Sequence, residues 1–124
     1  MPTPRDLARI QAFGRVAAGA ALTLAPRLVA SGWIGPRDAR RTPTQVVVSA
    51  LGARDLALGV GQARAVSSGF GASPWIIAGI VADATDLAAT WRARDELPAV
   101  GVAGIAALAG ASTVLGLWLS RALD

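Results

Sequence analysis

Four apolar stretches divide the chain, at about residues 7–24, 44–66, 74–91 and 98–119. Each holds about 18 to 23 residues, roughly 27 to 35 Å as a helix, against a hydrocarbon core of about 30 Å. Breakers fall between them: Ser31-Gly32, Gly35-Pro36, Ser67-Ser68-Gly69, and the stretch from Arg92 to Pro98. Pro43, Pro74 and Pro98 stand at helix starts, where a backbone N–H would have no intrahelical partner in any case. The pattern predicts an all-α fold: a four-helix transmembrane bundle with short loops, one integral membrane domain over residues 1–124.

The tryptophans follow the same division. Trp75 opens the third stretch, Trp91 closes it, Trp118 closes the fourth and Trp33 follows the first. Indole rings collect at membrane interfaces because the ring wants apolar contact and the N–H wants water. A soluble bundle would use its tryptophans as core, but all four lie near expected ends. Small residues recur four apart at Gly14/Ala18, Ala103/Ala107, Ala106/Gly110 and Ser112/Gly116. Such pairs let membrane helices approach closely, although alanine-rich chains also produce them by chance.

Arg5, Arg9 and Arg15 ahead of residues 16–25 have the look of a signal peptide. No small-x-small cleavage site follows and further apolar stretches do, so the segment is read as the first span. Arg27, Arg37, Arg40, Arg41, Arg92 and Arg94 lie on one side of the expected bundle, against Arg5, Arg9, Arg64 and Arg121 on the other. That bias puts both odd loops in the cytoplasm and both termini outside, in a multi-pass protein of the cell membrane.

Five charged residues interrupt the spans. Arg15 is near the middle of the first, Arg54 and Asp55 of the second, Asp83 and Asp86 of the third. The eight Leu and Val residues of the second span return about 4 kcal/mol on insertion, against about 6 for Arg54 plus Asp55. That span needs partners for its charges, and charges at such depth face the bundle interior or a wet cavity. Helical spacing gathers three polar stripes: Gln11/Arg15, Arg54/Asp55/Gln62, and Asp83/Asp86/Thr90. The fourth span adds Ser112 and Thr113 at most. Arg54 and Asp55 point about 100° apart, so they are expected to serve different partners. Three carboxylates against two permanently charged arginines leave one carboxylate in excess. Neighbouring carboxylates resist joint ionisation, and Asp83 with Asp86, one turn apart, are the expected sharers of a proton.

Composition narrows the chemistry. Of 124 residues, 53% are hydrophobic and 16% charged, where a soluble domain carries about a quarter charged. All twelve basic residues are arginine, and the chain has no histidine, cysteine, lysine or tyrosine. This removes thiol and Ser–His catalysis, disulfides, Walker-type lysines and histidine or cysteine metal sites. No metal and no cofactor is expected. The net charge of +4 comes from scattered arginines without interleaved stacking aromatics, so nucleic acid is not an expected partner.

The segments Gly52-Ala53-Arg54-Asp55-Leu56-Ala57-Leu58-Gly59 and Ala82-Asp83-Ala84-Thr85-Asp86 resemble small actinobacterial four-span integral membrane proteins of an uncharacterised family. The likeness runs from about Arg15 to Arg121. It implies the four-span topology and no particular reaction.

Three functions fit these residues. The first is intramembrane acid/base catalysis on an apolar lipid- or terpenoid-like molecule, by epoxide opening, isomerisation or cyclisation. Asp55 would be the base, Asp83 or Asp86 the acid, and Arg15 or Arg54 the orienter, with Gln11, Gln62 and Thr90 as binding residues. The second is a ligand- or proton-binding transport module. The third is a structural or accessory subunit whose charges only fix helix register. Membrane lipid is the expected surrounding partner, an apolar small molecule the expected ligand, and a homodimer or a larger membrane complex the expected assembly. A cavity of a few hundred Å³ ending on the carboxylates would favour a ligand site, and a closed, fully paired network the structural reading.

Overall fold

A computed structural model of the chain describes residues 1–123, and among these the fold is all-helical. Four long helices carry it: α1 (Pro4–Leu24), α4 (Thr42–Ser68), α5 (Ala72–Arg92) and α6 (Ala99–Ala122). Two short ones, α2 (Pro26–Ile34) and α3 (Pro36–Ala39), lie between α1 and α4, and a 3-10 turn (Arg94–Glu96) joins α5 to α6.

The helix ends have local causes. The Thr3 hydroxyl accepts from the Asp6 N–H at 3.2 Å while the Asp6 carboxylate accepts from the Thr3 N–H at 2.9 Å, a reciprocal cap that starts α1. Pro26 stops α1, because proline disfavours a helical conformation in the residue before it. Ala25 accordingly leaves helical geometry, and α2 departs at 104° to α1. Gly69 ends α4 with a left-handed φ of 78° that a side chain would strain. Sequence had placed Ser31-Gly32 in a loop; they are helical, inside α2. The proline starts it, and Trp33 ties it to the rest of the molecule.

α1 and α4 run antiparallel in close contact. A carbon placed on Gly19 would stand 2.6 Å from the Leu56 amide nitrogen and 2.7 Å from the Gly52 carbonyl oxygen. One placed on Gly59 would stand 2.7 Å from the Val16 side chain and 2.8 Å from the Ala12 carbonyl. Gly52 and Gly59 are seven apart, and so are Ala12 and Gly19. This seam differs from the expected small-residue pairs. A carbon placed on Gly14 or Gly110 would meet nothing within 4 Å, and of the glycines in those pairs Gly116 makes the tight contact, against Ile80. α5 and α6 form the second antiparallel pair.

Two apolar layers cap the bundle. One is built from Ala8, Val66, Ile76 and Leu119, a residue from each long helix. The other, at the α2 end, holds Leu22, Ala30, Ala39 and Val48. Charged side chains lie between them, and large apolar side chains face outward: Ile10, Phe13, Val60, Ile77, Val81, Leu108, Val114 and Leu117 are all exposed. α4 and α6 are long and apolar enough to cross a membrane, and the bent pair α1–α2 qualifies as a third, broken span. α5, with its two central aspartates, is not among them.

Candidate functional site

The five mid-helix charges meet. Arg15 on α1 grips Asp83 on α5 with both ends of its guanidinium, Nη1 to Oδ1 at 3.1 Å and Nη2 to Oδ2 at 2.6 Å. Arg54 on α4 grips Asp86 in the same way, at 3.1 and 2.6 Å. These are fork-to-fork pairs, the strongest geometry open to an arginine and a carboxylate. Each guanidinium then reaches one further carboxylate oxygen, and it is the same one. Asp55 Oδ1 accepts from Arg15 Nη1 at 3.3 Å and from Arg54 Nη2 at 3.3 Å. The result is a chain, Asp83–Arg15–Asp55–Arg54–Asp86, with Asp55 in the middle.

This arrangement alters the expected roles. No hydrogen bond joins Asp83 to Asp86 among the described residues; each has its own arginine. Helix α5 presents them one turn apart, and α1 and α4 bring one guanidinium to each. The carboxylate in excess is Asp55. Its Oδ2 makes no hydrogen bond among the described residues, and it is not among the buried polar atoms left without a partner. That oxygen therefore keeps some accessible surface, on a side chain that is 11% exposed. The divergence of Arg54 and Asp55 is as expected for sequence neighbours, since the main partner of Arg54 is Asp86, although the two also touch.

Burial makes these contacts matter. The Arg15 side chain is 6% exposed and that of Asp55 11%, whereas Arg54 is 30% exposed. The backbone of α5 at Gly79 lies against the Arg15 guanidinium, 3.0 Å from Nη2 to where a side-chain carbon would start. The Arg15 and Arg54 Nε atoms are buried without a partner.

The expected binding residues separate into two groups outside the charges. Gln62 donates to the Ala8 carbonyl and to Gln11 Oε1, both at 3.0 Å. Gln11 donates in turn to the Ser112 carbonyl at 3.0 Å and to its hydroxyl at 3.2 Å. Since Arg15 Nη2 also reaches the Ser112 hydroxyl, at 3.4 Å, this glutamine layer adjoins the charged one and ties α6 to it. Thr90 stands apart. It is buried and accepts a hydrogen bond from Trp33 Nε1 at 3.1 Å. Thr113 makes no hydrogen bond. Trp75, Trp91 and Trp118 are exposed near helix ends, as interface residues would be. Trp33 is instead half-buried, its backbone against Gly101.

A cavity, one of the two outcomes the sequence leaves open, lies beside this chain. It has a volume of about 580 Å³ and lies between α1, α2 and α6. Arg15, Asp55, Asp83, Asp86, Gln11 and Ser112 form its polar end, and the remaining wall is apolar, from Ala18 and Leu22 through Val29 and Trp33 to Val100 and Leu108. No protein-family model, curated protein or solved structure matches the chain.

Proposed function

We propose that the protein is a multi-pass membrane protein whose central cavity binds an apolar small molecule and performs acid/base chemistry on it, with Asp55 as the proton carrier. The observation that carries this reading is the position of Asp55. One oxygen is held by two arginines, the other has no hydrogen-bond partner among the described residues, and Asp55 lines the apolar cavity. A carboxylate so placed takes a proton from a bound water or from a carbon beside a carbonyl, and returns it to an oxygen or to a second carbon. Arg15 and Arg54 orient it. Asp83 and Asp86 hold the arginines and are positioning residues, not the acid. Epoxide opening and double-bond isomerisation both fit this set of groups.

Four spans are part of the proposal. α5 has an outward face of Ile77 and Val81 between Trp75 and Trp91, which suits lipid, and its two aspartates point to partners rather than outward. The resemblance to small actinobacterial four-span proteins agrees with this topology. The excess of arginines at the α2 end, six against four, favours a cytoplasmic α2 end with both termini outside.

The test is isotopic. Protein in liposomes is incubated with unsaturated ketones in D2O and with lipid and terpenoid epoxides in 18O-labelled water, and the products are weighed by mass spectrometry after back-exchange in ordinary water. Deuterium on carbon, or one 18O from an opened epoxide, enters at least one product with the native chain and not with Asp55→Asn. Uptake no greater than in protein-free liposomes overturns the reading.

A second reading has its own observation. The two forks join the α1/α4 pair to α5, which is what a purely structural lock would do. A lock has no use for the unpartnered Oδ2 of Asp55 or for the cavity next to it, and predicts that Asp55→Asn changes assembly and no chemistry.

A further inference from the structure

The cavity is a slit, and its shape says how a ligand gets in. Gly14, Ala18 and Ala21 on α1 and Gly104, Leu108 and Ala111 on α6 line it, and all six are exposed. Its mouth therefore runs lengthwise between two helices and opens where lipid chains would lie. Along α1 the lining extends from Gln11 to Leu22, about 16 Å at 1.5 Å per residue, or about half of a 30 Å hydrocarbon layer. The polar end sits at the middle of the long helices. The opposite end is closed by α2, with Val29, Gly32 and Trp33 across it.

The polar end is lined by Arg15 and three aspartates, and even with Arg54 counted behind Asp55 and Asp86 the ionised cluster has one negative charge to spare, which an anionic group arriving there would meet. It also offers hydrogen-bonding capacity in the unpartnered Asp55 Oδ2 and the Ser112 hydroxyl, beside an Arg15 side chain that is more than nine-tenths buried. A ligand anchored by a headgroup at the membrane surface would present the far end of its chain at this depth.

We infer that the slit admits an elongated, uncharged lipid sideways from the bilayer, and that its reacting group is an oxygen function (hydroxyl, epoxide or carbonyl) at the buried end, not a headgroup at the surface. This rests on the acid/base reading of Asp55 and adds to it the class of substrate and its direction of entry.

The experiment uses occupancy rather than turnover. The probe is a long-chain primary alcohol with a diazirine beside the hydroxyl, photolysed in lipid nanodiscs holding the full chain, with labelled peptides mapped by mass spectrometry. Labelling of α1 and α6 around Gly14 and Leu108 exceeds that of the exposed α5 face at Ile77 and Val81 by about tenfold or more. Gly104→Phe, at a slit-lining position where an added Cβ meets nothing within 4 Å, removes the excess. Gly110→Phe, equally free of neighbours but outside the slit, keeps it. A carboxylic acid of the same length competes about tenfold less well than the unlabelled alcohol. Even labelling of α5 and α6, or full labelling in Gly104→Phe, overturns the slit. Equal competition by the carboxylic acid, or stronger competition by the matching amine, overturns the uncharged oxygen function. Asp55→Asn separates the two proposals: it retains the labelling and loses the isotope uptake, so either result can fail without the other.

Discussion

Asp55 is the residue on which charge balance turns. With all five groups ionised the cluster carries one net negative charge, and replacing Asp55 by asparagine removes that surplus while the two forks remain. Asp83→Asn does the opposite: it leaves Arg15 buried at 6% exposure with its main partner gone. Removing one member of a buried ion pair costs about 3–5 kcal/mol, because the other charge stays behind. Thermal unfolding in one detergent should therefore rank the chains. Asp55→Asn melts at or above the native temperature and Asp83→Asn well below it; the reverse order would refute this charge assignment. Sequence showed that five charges share one depth and that one carboxylate is in excess. It pointed to Asp83 and Asp86 as the sharers because helical spacing reveals neighbours on a single helix. Which guanidinium reaches which carboxylate depends on how α1 and α4 sit against α5, and no spacing within one helix contains that.

At the scale of elements, glycine decides which helices touch. A carbon on Gly52 would meet the Gly19 carbonyl and the Thr23 amide nitrogen, each at 2.7 Å, and backbone atoms there have no rotamer to retreat into. Gly52→Ala is accordingly expected to destabilise by about 1–3 kcal/mol. Gly104→Ala adds its methyl to open space and should leave the melting temperature unchanged or raise it slightly, since alanine favours helix. Equal effects from the two substitutions would mean that α1 and α4 do not cross where described. The signal for this seam was present in the sequence as Ala12/Gly19 and Gly52/Gly59, spaced by seven. It was hidden among many small pairs spaced by four, several of which face outward or line the slit. The extents of α1, α4, α5 and α6 were legible to within a few residues, because proline and glycine mark most of their ends. α2 was not. Its Ser31-Gly32 reads as a breaker, and it is helical because Pro26 starts it and because Trp33 bonds to Thr90 on α5.

Taken as a whole, the molecule wears large apolar side chains on the outside of its long helices, keeps five mid-helix charges within and leaves the other charges near the helix ends, which is compatible with a lipid surrounding. The weak point of that description is α5, which is too polar at its centre to stand with α4 and α6 as a span by composition. Its crossing should depend on the arginines that wait for it. The chain has no native cysteine, which makes single-site labelling clean. Cysteines placed at Phe70 and at Ala93 are expected to react from opposite faces of a membrane in the native background. With Arg15 and Arg54 both changed to leucine, Ala93→Cys should react from the same face as Phe70→Cys. Opposite faces in both backgrounds would show that α5 crosses unaided.

The two forks also impose an order in time. Chain synthesis delivers Arg15, then Arg54 with Asp55, and only afterwards Asp83 and Asp86. Until α5 emerges, the paired α1 and α4 hold two positive charges against one negative. The close glycine seam keeps them together meanwhile. The arrival of α5 brings two negative charges and reverses the sign of the cluster. The same arginines that orient Asp55 in the finished protein are thus, earlier in its life, the attraction that draws the last polar helix into place.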